Sequence, residues 1–534
     1  MKAQTDSLTL KIDTMLQIVV KTFTRIIAGL FIIAISGCQP GRQSGGTSQP
    51  YTPDWESLAR HTEAPEWFAD ARFGIYFHWG VYSVPAYHNE WYPRWMHFEG
   101  HPVYNHHVKT YGHPSEFGYH DFVPLFKAAN FDAERWAELF RQAGARFAGP
   151  VAEHHDGFAM WDSEITPWNA ADRGPHTDIT GALKRALEKR EMKLITTFHH
   201  ARNLQRYRGK ESEEMKKERV RRRFRNSHYP LNPGMPPETA TDGEPRYLYG
   251  NLPEAQWLEE VWLGKLKEVI DTYEPDIVWF DSWLDQVPER FRKEFCAYYL
   301  NRAASQDREV VIVRKQDDLP LTVSVDDLEK SRKNRIGEKV WMTDETISRG
   351  SWCYTTGLEI KPAREVLHVL IDIVSKNGVL LLNISPRSDG TIPANQREVL
   401  LEVGQWLERN GEAIYGTRPW YTYGEGPVKE PEGHFRNAKQ FQEITYSASD
   451  IRYTTRGDVL YALFLGTPGG GSRVVLEAFG EEVLPAGTRV QRVALPARGE
   501  ELEWALEPAG LEVRMPKEMP DEPATVVKID LQKP

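Results

Sequence analysis

Short apolar runs that stop abruptly on polar residues recur along the chain, with amphipathic stretches between them. Ile75–Phe77 runs into His78, Phe147–Val151 into Glu153-His154-His155-Asp156, and Leu194–Phe198 into His199-His200. Val310–Val313 runs into Arg314, Val340–Met342 into Thr343-Asp344-Glu345, and Val379–Leu382 into Asn383. Runs of this kind read as buried parallel strands. The pattern is sharpest in Pro275–Asp285, PDIVWFDSWLD, where Ile277, Val278, Trp279 and Phe280 end on Asp281. Burying an unpaired carboxylate costs several kcal/mol, so Asp281 belongs at the open end of its strand, facing a cavity.

The intervening stretches predict helices. Asp132 is placed to cap one whose Trp136, Leu139, Phe140 and Ala143 share a face, with Gly144 past its end. Gly181–Arg190, Glu254–Tyr273 and Ala363–Ser375 are similar, the last followed by the stop signal Asn377-Gly378. Strands alternating with helices predict an α/β fold with a parallel sheet. The number of units fits a (β/α)8 TIM-like barrel over residues 52–416, whose functional side chains sit at the C-terminal ends of the strands. Neither a GxGxxG nor a Walker loop is present. Gln205–Gly250, charged in its first half and rich in Pro and Gly in its second, reads as an insertion. After a terminal helix over Asn395–Asn410 the period shortens. Asp450–Thr454, Val459–Phe464 and Arg473–Glu477, separated by clusters such as Pro468–Ser472, predict a small antiparallel β-sandwich over 417–534, with the boundary near Gly416–Trp420.

The N-terminal region follows other rules. Lys21 and Arg25 precede an apolar core from Ile26 that is too short to span a bilayer, the anatomy of a signal peptide. Ile35-Ser36-Gly37-Cys38 resembles a bacterial lipobox, so residues 1–38 are expected to direct export, with lipidated Cys38 the sole membrane attachment. Gln39 after it is compatible with the outer membrane, residues 39–51 form a Gly/Ser-rich tether, and Met15 is an alternative start.

A net charge of −10 argues against nucleic acid as a partner. Three cysteines allow neither a disulfide framework nor a Cys-rich zinc site. Seventeen Trp and 22 Tyr in 534 residues suit either a large core or the faces of sugars. A barrel mouth with His, Trp, Arg and carboxylates admits a hydrolytic metal site, but His154-His155 and His199-His200 are neighbours that point to opposite faces of a strand, so no metal is expected. Glycoside hydrolysis needs two carboxyl groups and a polar pocket for ring hydroxyls, and this residue set supplies both.

Several segments also carry a resemblance. Phe73–Met96 (FGIYFHWGVYSVPAYHNEWYPRWM), His154–Ser163 (HHDGFAMWDS), Trp279–Asp281 (WFD), Ser351–Tyr354 (SWCY), Ser375–Gly390 (SKNGVLLLNISPRSDG) and Tyr415–Trp420 (YGTRPW) resemble, in order, the α-L-fucosidases of glycoside hydrolase family 29. The resemblance implies an exo-acting, retaining α-L-fucosidase that needs no cofactor and acts on fucosylated glycans, with Asp281 as nucleophile. It also implies sugar contacts from His78, Glu90, Trp91, His154, His155, Trp279 and Arg314, with Trp91 and Trp352 as candidates to face the C6 methyl. For the acid/base, Val325–Arg332 (VDDLEKSR) resembles the family's segment and points to Glu329, with Glu345 the competitor. Two departures stand out: Glu153 replaces the usual Lys before HHDGF, and Phe198-His199-His200 replaces a Tyr-Tyr-Ser type segment, so His199 or His200 takes the place of a sugar-facing Tyr. Two other readings remain, a non-catalytic surface glycan-binding lipoprotein and a glycosidase for α-L-galactosides. Oligomeric state is left open.

Overall fold

Parallel pairing dominates the first part of the computed structural model, which describes residues 49–206, 243–250, 252–431, 438–479 and 488–532. The expected signal peptide with Cys38, nearly all of the tether, and most of the Gln205–Gly250 insertion lie outside the described residues. Eight strands form one parallel sheet: β1 (Phe73–Phe77), β2 (Phe147–Glu153), β3 (Lys193–Phe198), β4 (Ile277–Phe280), β5 (Val311–Arg314), β6 (Val325–Asp326), β7 (Trp341–Thr346) and β8 (Gly378–Ile384). Their order is β6-β5-β4-β3-β2-β1-β8-β7. A parallel bridge between Asp327 and Met342, with the Leu328 N–H donating to Met342 O at 2.9 Å, joins the two ends and closes the (β/α)8-like barrel.

The β6 strand has only two residues, with no apolar run to reveal it. Its links to β5 and β7 contain no α-helix. Elsewhere the helices follow their sequence signals. Asp132 accepts from the Arg135 N–H at 3.1 Å and starts Ala133–Gln142, and Ala363–Ser375 ends before Asn377 at φ +71°. The stretch predicted as one helix from Glu254 is interrupted by a π-helical segment, Trp257–Gly264, before Lys265–Tyr273.

Strand pleating divides the core in two. Tyr76, Phe147, Val151, Ile195, Trp279, Val313, Val325, Met342 and Leu381 pack together inside the barrel. Their strand neighbours Phe77, Ala148, Leu194, Phe280, Ile312, Trp341 and Leu382 pack outward against the helices. This parity fixes which residue at each strand end faces the barrel mouth.

From Arg418 the chain forms a six-stranded antiparallel sheet and a three-stranded one. Tyr453, Leu460 and Phe464 of the first pack with Leu476, Leu511 and Val513 of the second, making a sandwich. The described residues from Tyr51 onward form a single compact unit. Barrel and sandwich are tied by buried charges: Arg452 Nε lies 2.7 Å from Asp372, Lys376 Nζ contacts Asp372 and Glu430, and Arg332 donates to the Tyr446 hydroxyl at 2.9 Å.

Candidate active site

Counting by two along each strand leads to the mouth. In β4, Ile277 and Trp279 point inward, so Asp281 does too. Asp281 is buried, with its N–H donating to Phe198 O at 3.0 Å. Burial alone would raise its pKa. Arg202, with Nε 2.5 Å from Oδ2, and Lys315, with Nζ 3.4 Å from Oδ1, outweigh burial and hold the carboxyl well below the usual carboxylate range. Asp281 is therefore held in its charged form, as a nucleophile must be. The turn beyond it holds Trp283 at φ +83°, its N–H donating to Gln316 Oε1 at 3.0 Å.

The same parity brings Lys315, not Arg314, into the pocket. Val311 and Val313 face inward, Lys315 follows them, and Arg314 turns outward. Arg314 Nε lies 3.3 Å from Asp326, and its other nitrogens bond Asp317 and the Leu319 carbonyl, away from Asp281. Lys315 Nζ lies 3.3 Å from Glu329 Oε2 and 3.1 Å from Asp344 Oδ2. Burial would lower the Lys315 pKa, but Asp344, Glu329 and Asp281 together raise it above the ordinary lysine value. Glu329, half-buried and just past β6, thus shares one ammonium with Asp281. Glu345 sits on the outward parity of β7 and pairs with Lys361 at 2.9 Å.

Beneath Lys315 lies a second layer. Tyr76 donates to Asp344 Oδ2 at 2.9 Å, and Trp279 Nε1–H donates to Asp327 Oδ2 at 3.1 Å. The Asp344 N–H donates to Asp327 Oδ1 at 2.8 Å. Burial, then the charge of Asp344, push the Asp327 carboxyl well up.

His78, His154 and His199 come from the ends of three strands and meet with ligand atoms within 4.8 Å of one another. His199, rather than His200, faces inward. His200 lies against Trp257 and Trp262, with Nε2 3.4 Å from Trp262 O. Asn383 Oδ1 accepts from the His78 N–H at 2.9 Å and sits 2.8 Å from its Nδ1, so Nδ1 carries the proton and Nε2 offers a lone pair. Burial pushes the His78 pKa down to about 3, and those of His154 and His199 well below the usual value. All three are neutral, and the Nδ1 atoms of His154 and His199 are buried without a protein partner. Among the described residues this trio is the group placed to hold a metal ion, but Lys315 and Arg202 add positive charge beside it, and neutral imidazoles with unused nitrogens suit sugar hydroxyls equally well.

Aromatic rings wall the pocket. Trp352 lies 5.3 Å from His78, Trp279 lies 5.2 Å from His199, and Trp91 lies 4.1 Å from His155. Glu90 is buried among them, its Oε2 accepting from the Trp352 N–H at 3.3 Å, and burial raises its pKa to about 7. Glu153, the acidic departure, faces out of the barrel. A register shift between Val151 and Glu153 turns it to Lys265 at 2.8 Å, and both are fully buried.

With this geometry established, comparison with known proteins decides the family. The sequence profile described as Alpha-L-fucosidase matches residues 40–412. The chain belongs to the α-L-fucosidase family. It is 30% identical to the tissue alpha-L-fucosidase of Rattus norvegicus over 509 residues, covering 92% of this chain and 93% of the relative. The human tissue enzyme is 29% identical over 508 residues, with 91% and 92% covered. Among solved structures, the Thermotoga maritima alpha-fucosidase in complex with fucose superposes with a TM-score of 0.68 at 28% identity, covering 90% of this chain and all of that one. This α-L-fucosidase family member is a glycoside hydrolase of the retaining kind. The non-catalytic and α-L-galactoside readings are not favoured.

The site therefore gathers Asp281, Glu329, His78, Glu90, Trp91, His154, His155, His199, Trp279 and Trp352, and leaves out Arg314. Sequence reasoning placed Asp344 and Asn383 at strand ends without a role, and missed Lys315, Arg202 and Asp327. Parity within β5 would have found Lys315. Arg202, in a turn after β3, carries no periodic signal.

Proposed function

We propose that the chain releases terminal L-fucose from fucosylated glycans, with Asp281 as the nucleophile and Glu329 as the acid/base. The observation that carries this is the shared Lys315 ammonium. Asp281 Oδ1 and Glu329 Oε2 each lie within 3.4 Å of Nζ, so they are separated by no more than twice that distance, a limit that admits the ~5–5.5 Å of a retaining pair. Glu345 pairs with Lys361 instead, which favours Glu329.

Asp281 attacks the anomeric carbon while Glu329 protonates the leaving oxygen, giving a covalent fucosyl-enzyme. Glu329 then takes a proton from water, which displaces Asp281 and frees L-fucose with retained configuration. Neutral His78, His154 and His199, with Glu90, bind the ring hydroxyls, and Trp91 and Trp352 flank the C6 methyl. An apolar wall there disfavours the C6 hydroxyl of an α-L-galactoside by ~1–3 kcal/mol.

Hydrolysis of an aryl α-L-fucoside tests the assignment. Asp281→Asn should be nearly inactive, and Glu329→Ala should regain rate with azide while Glu345→Ala should not. The reverse azide result would transfer the role to Glu345.

The signal-like Lys21–Ser36 and the ISGC sequence support export and anchoring through lipidated Cys38. Radiolabelled palmitate should enter the wild type and not Cys38→Ala. Equal labelling of the two would reject it.

A further inference from the structure

A buried lysine between two reacting carboxyl groups is not demanded by a two-carboxylate mechanism, and here it is held firmly. Besides Asp281 and Glu329, Lys315 Nζ contacts Asp344 Oδ2 at 3.1 Å, and Asp344 is fixed in turn by the Tyr76 hydroxyl and by Asp327. The ammonium also lies 4.5 Å from the Trp279 ring centroid and 5.8 Å from that of Trp352. Asp344 and the two rings hold the cation in place whatever the state of the reacting groups.

We infer that Lys315 is a positioning residue whose fixed charge serves Asp281 before glycosyl transfer and Glu329 after it. The inference rests on the assignment of those two carboxyl groups above. The charge balance follows from the chemistry. When an Asp281 oxygen bonds the anomeric carbon and the glycosidic C–O bond breaks, Asp281 changes from anion to neutral ester. In the same step Glu329 gives its proton to the leaving oxygen and becomes an anion. The negative charge facing Lys315 is unchanged in amount and moves from one contact to the other, so the cation need not move. Hydrolysis reverses the shift: Glu329 regains a proton from water and the Asp281 carboxylate departs. In a buried site a fixed charge costs no reorganisation during reaction.

The groups facing Lys315 are Asp281, Glu329, Asp344 and Asp327, with neutral His78 and His199. Arg202 faces Asp281 from the other side, and Glu90 and Tyr76 face Glu329. Removing the lysine charge takes from Asp281 one of the two cations that hold its carboxyl down.

The test is the pH dependence of kcat/KM on an aryl α-L-fucoside for the full chain. In Lys315→Met, kcat/KM should fall roughly tenfold or more, and the acid limb, set by Asp281, should move to higher pH. Lys315→Arg, which keeps the charge, should leave the acid limb close to that of the wild type. Should Lys315→Met fail to fold, Lys315→Gln, which removes the charge but keeps a polar group beside Asp344, gives the same readout. Lost activity or stability with the acid limb unmoved would overturn the inference, leaving Lys315 a structural counter-ion. A different failure, no turnover by the wild type or full activity in Asp281→Asn, would strike the carboxyl assignment instead.

Discussion

Arg202 Nε lies 2.5 Å from Asp281 Oδ2, and both side chains are buried at the barrel mouth. The guanidinium also donates to Ser282 Oγ and stacks 4.9 Å from the Trp91 centroid, so it is fixed on three sides. A hydrogen bond to a charged group contributes ~1.5–3 kcal/mol. Arg202→Met should therefore lower kcat/KM by roughly 10- to 150-fold. The acid limb of the pH profile should move up, because Asp281 loses the larger of its two cationic partners. Steady-state kinetics from pH 3 to 8 check both.

Glu90 provides a pH signature of its own. Burial raises its pKa from an ordinary 4.5 to about 7 in the folded protein. A raised folded pKa means that the stabilising contribution is complete below ~4.5 and is lost as the pH climbs through about 7. Glu90→Gln cannot ionise, so its melting temperature should fall less between pH 5 and pH 8 than that of the wild type. Thermal unfolding at the two pH values checks this. An equal fall in the two proteins would refute it.

The buried Glu153–Lys265 pair at 2.8 Å explains how an acidic residue is tolerated before the His154-His155 segment. It faces a helix rather than the sugar pocket. Breaking the pair leaves an uncompensated buried charge, at a cost of ~3–5 kcal/mol, whereas replacing both partners with apolar residues of similar volume is often neutral. Glu153→Gln should thus lower stability by about that amount, and Glu153→Met/Lys265→Met should restore most of it. Denaturant unfolding measures the difference.

The barrel was legible wherever a strand is buried on both faces, because Ile277–Phe280 or Val379–Leu382 then reads as an unbroken apolar run. It was not legible at β6, whose Val325–Asp326 pair is too short to show a period. The site was legible in part for the same reason. Asp281 ends a visible run, and Glu329 follows the hidden strand. Arg314 and Lys315 are adjacent at the end of β5, and only pleat parity separates them: with Val311 and Val313 facing inward, the odd-numbered residue enters the pocket. Asp344 and Glu345 divide in the same way on β7, which turns Glu345 away to Lys361. Arg202 depends on the turn after β3 and on tertiary placement, so no local pattern announces it.

Trapping the covalent intermediate tests the central claim most directly. A 2-deoxy-2-fluoro-α-L-fucosyl fluoride slows both steps but leaves a reactive leaving group, so the fucosyl-enzyme should accumulate. Peptide mass spectrometry after proteolysis should place the label on Asp281, within the segment PDIVWFDSWLD, and find none in Asp281→Asn. A label on Asp344, Glu329 or Glu345, in an enzyme that turns over the unsubstituted fucoside, would contradict the account.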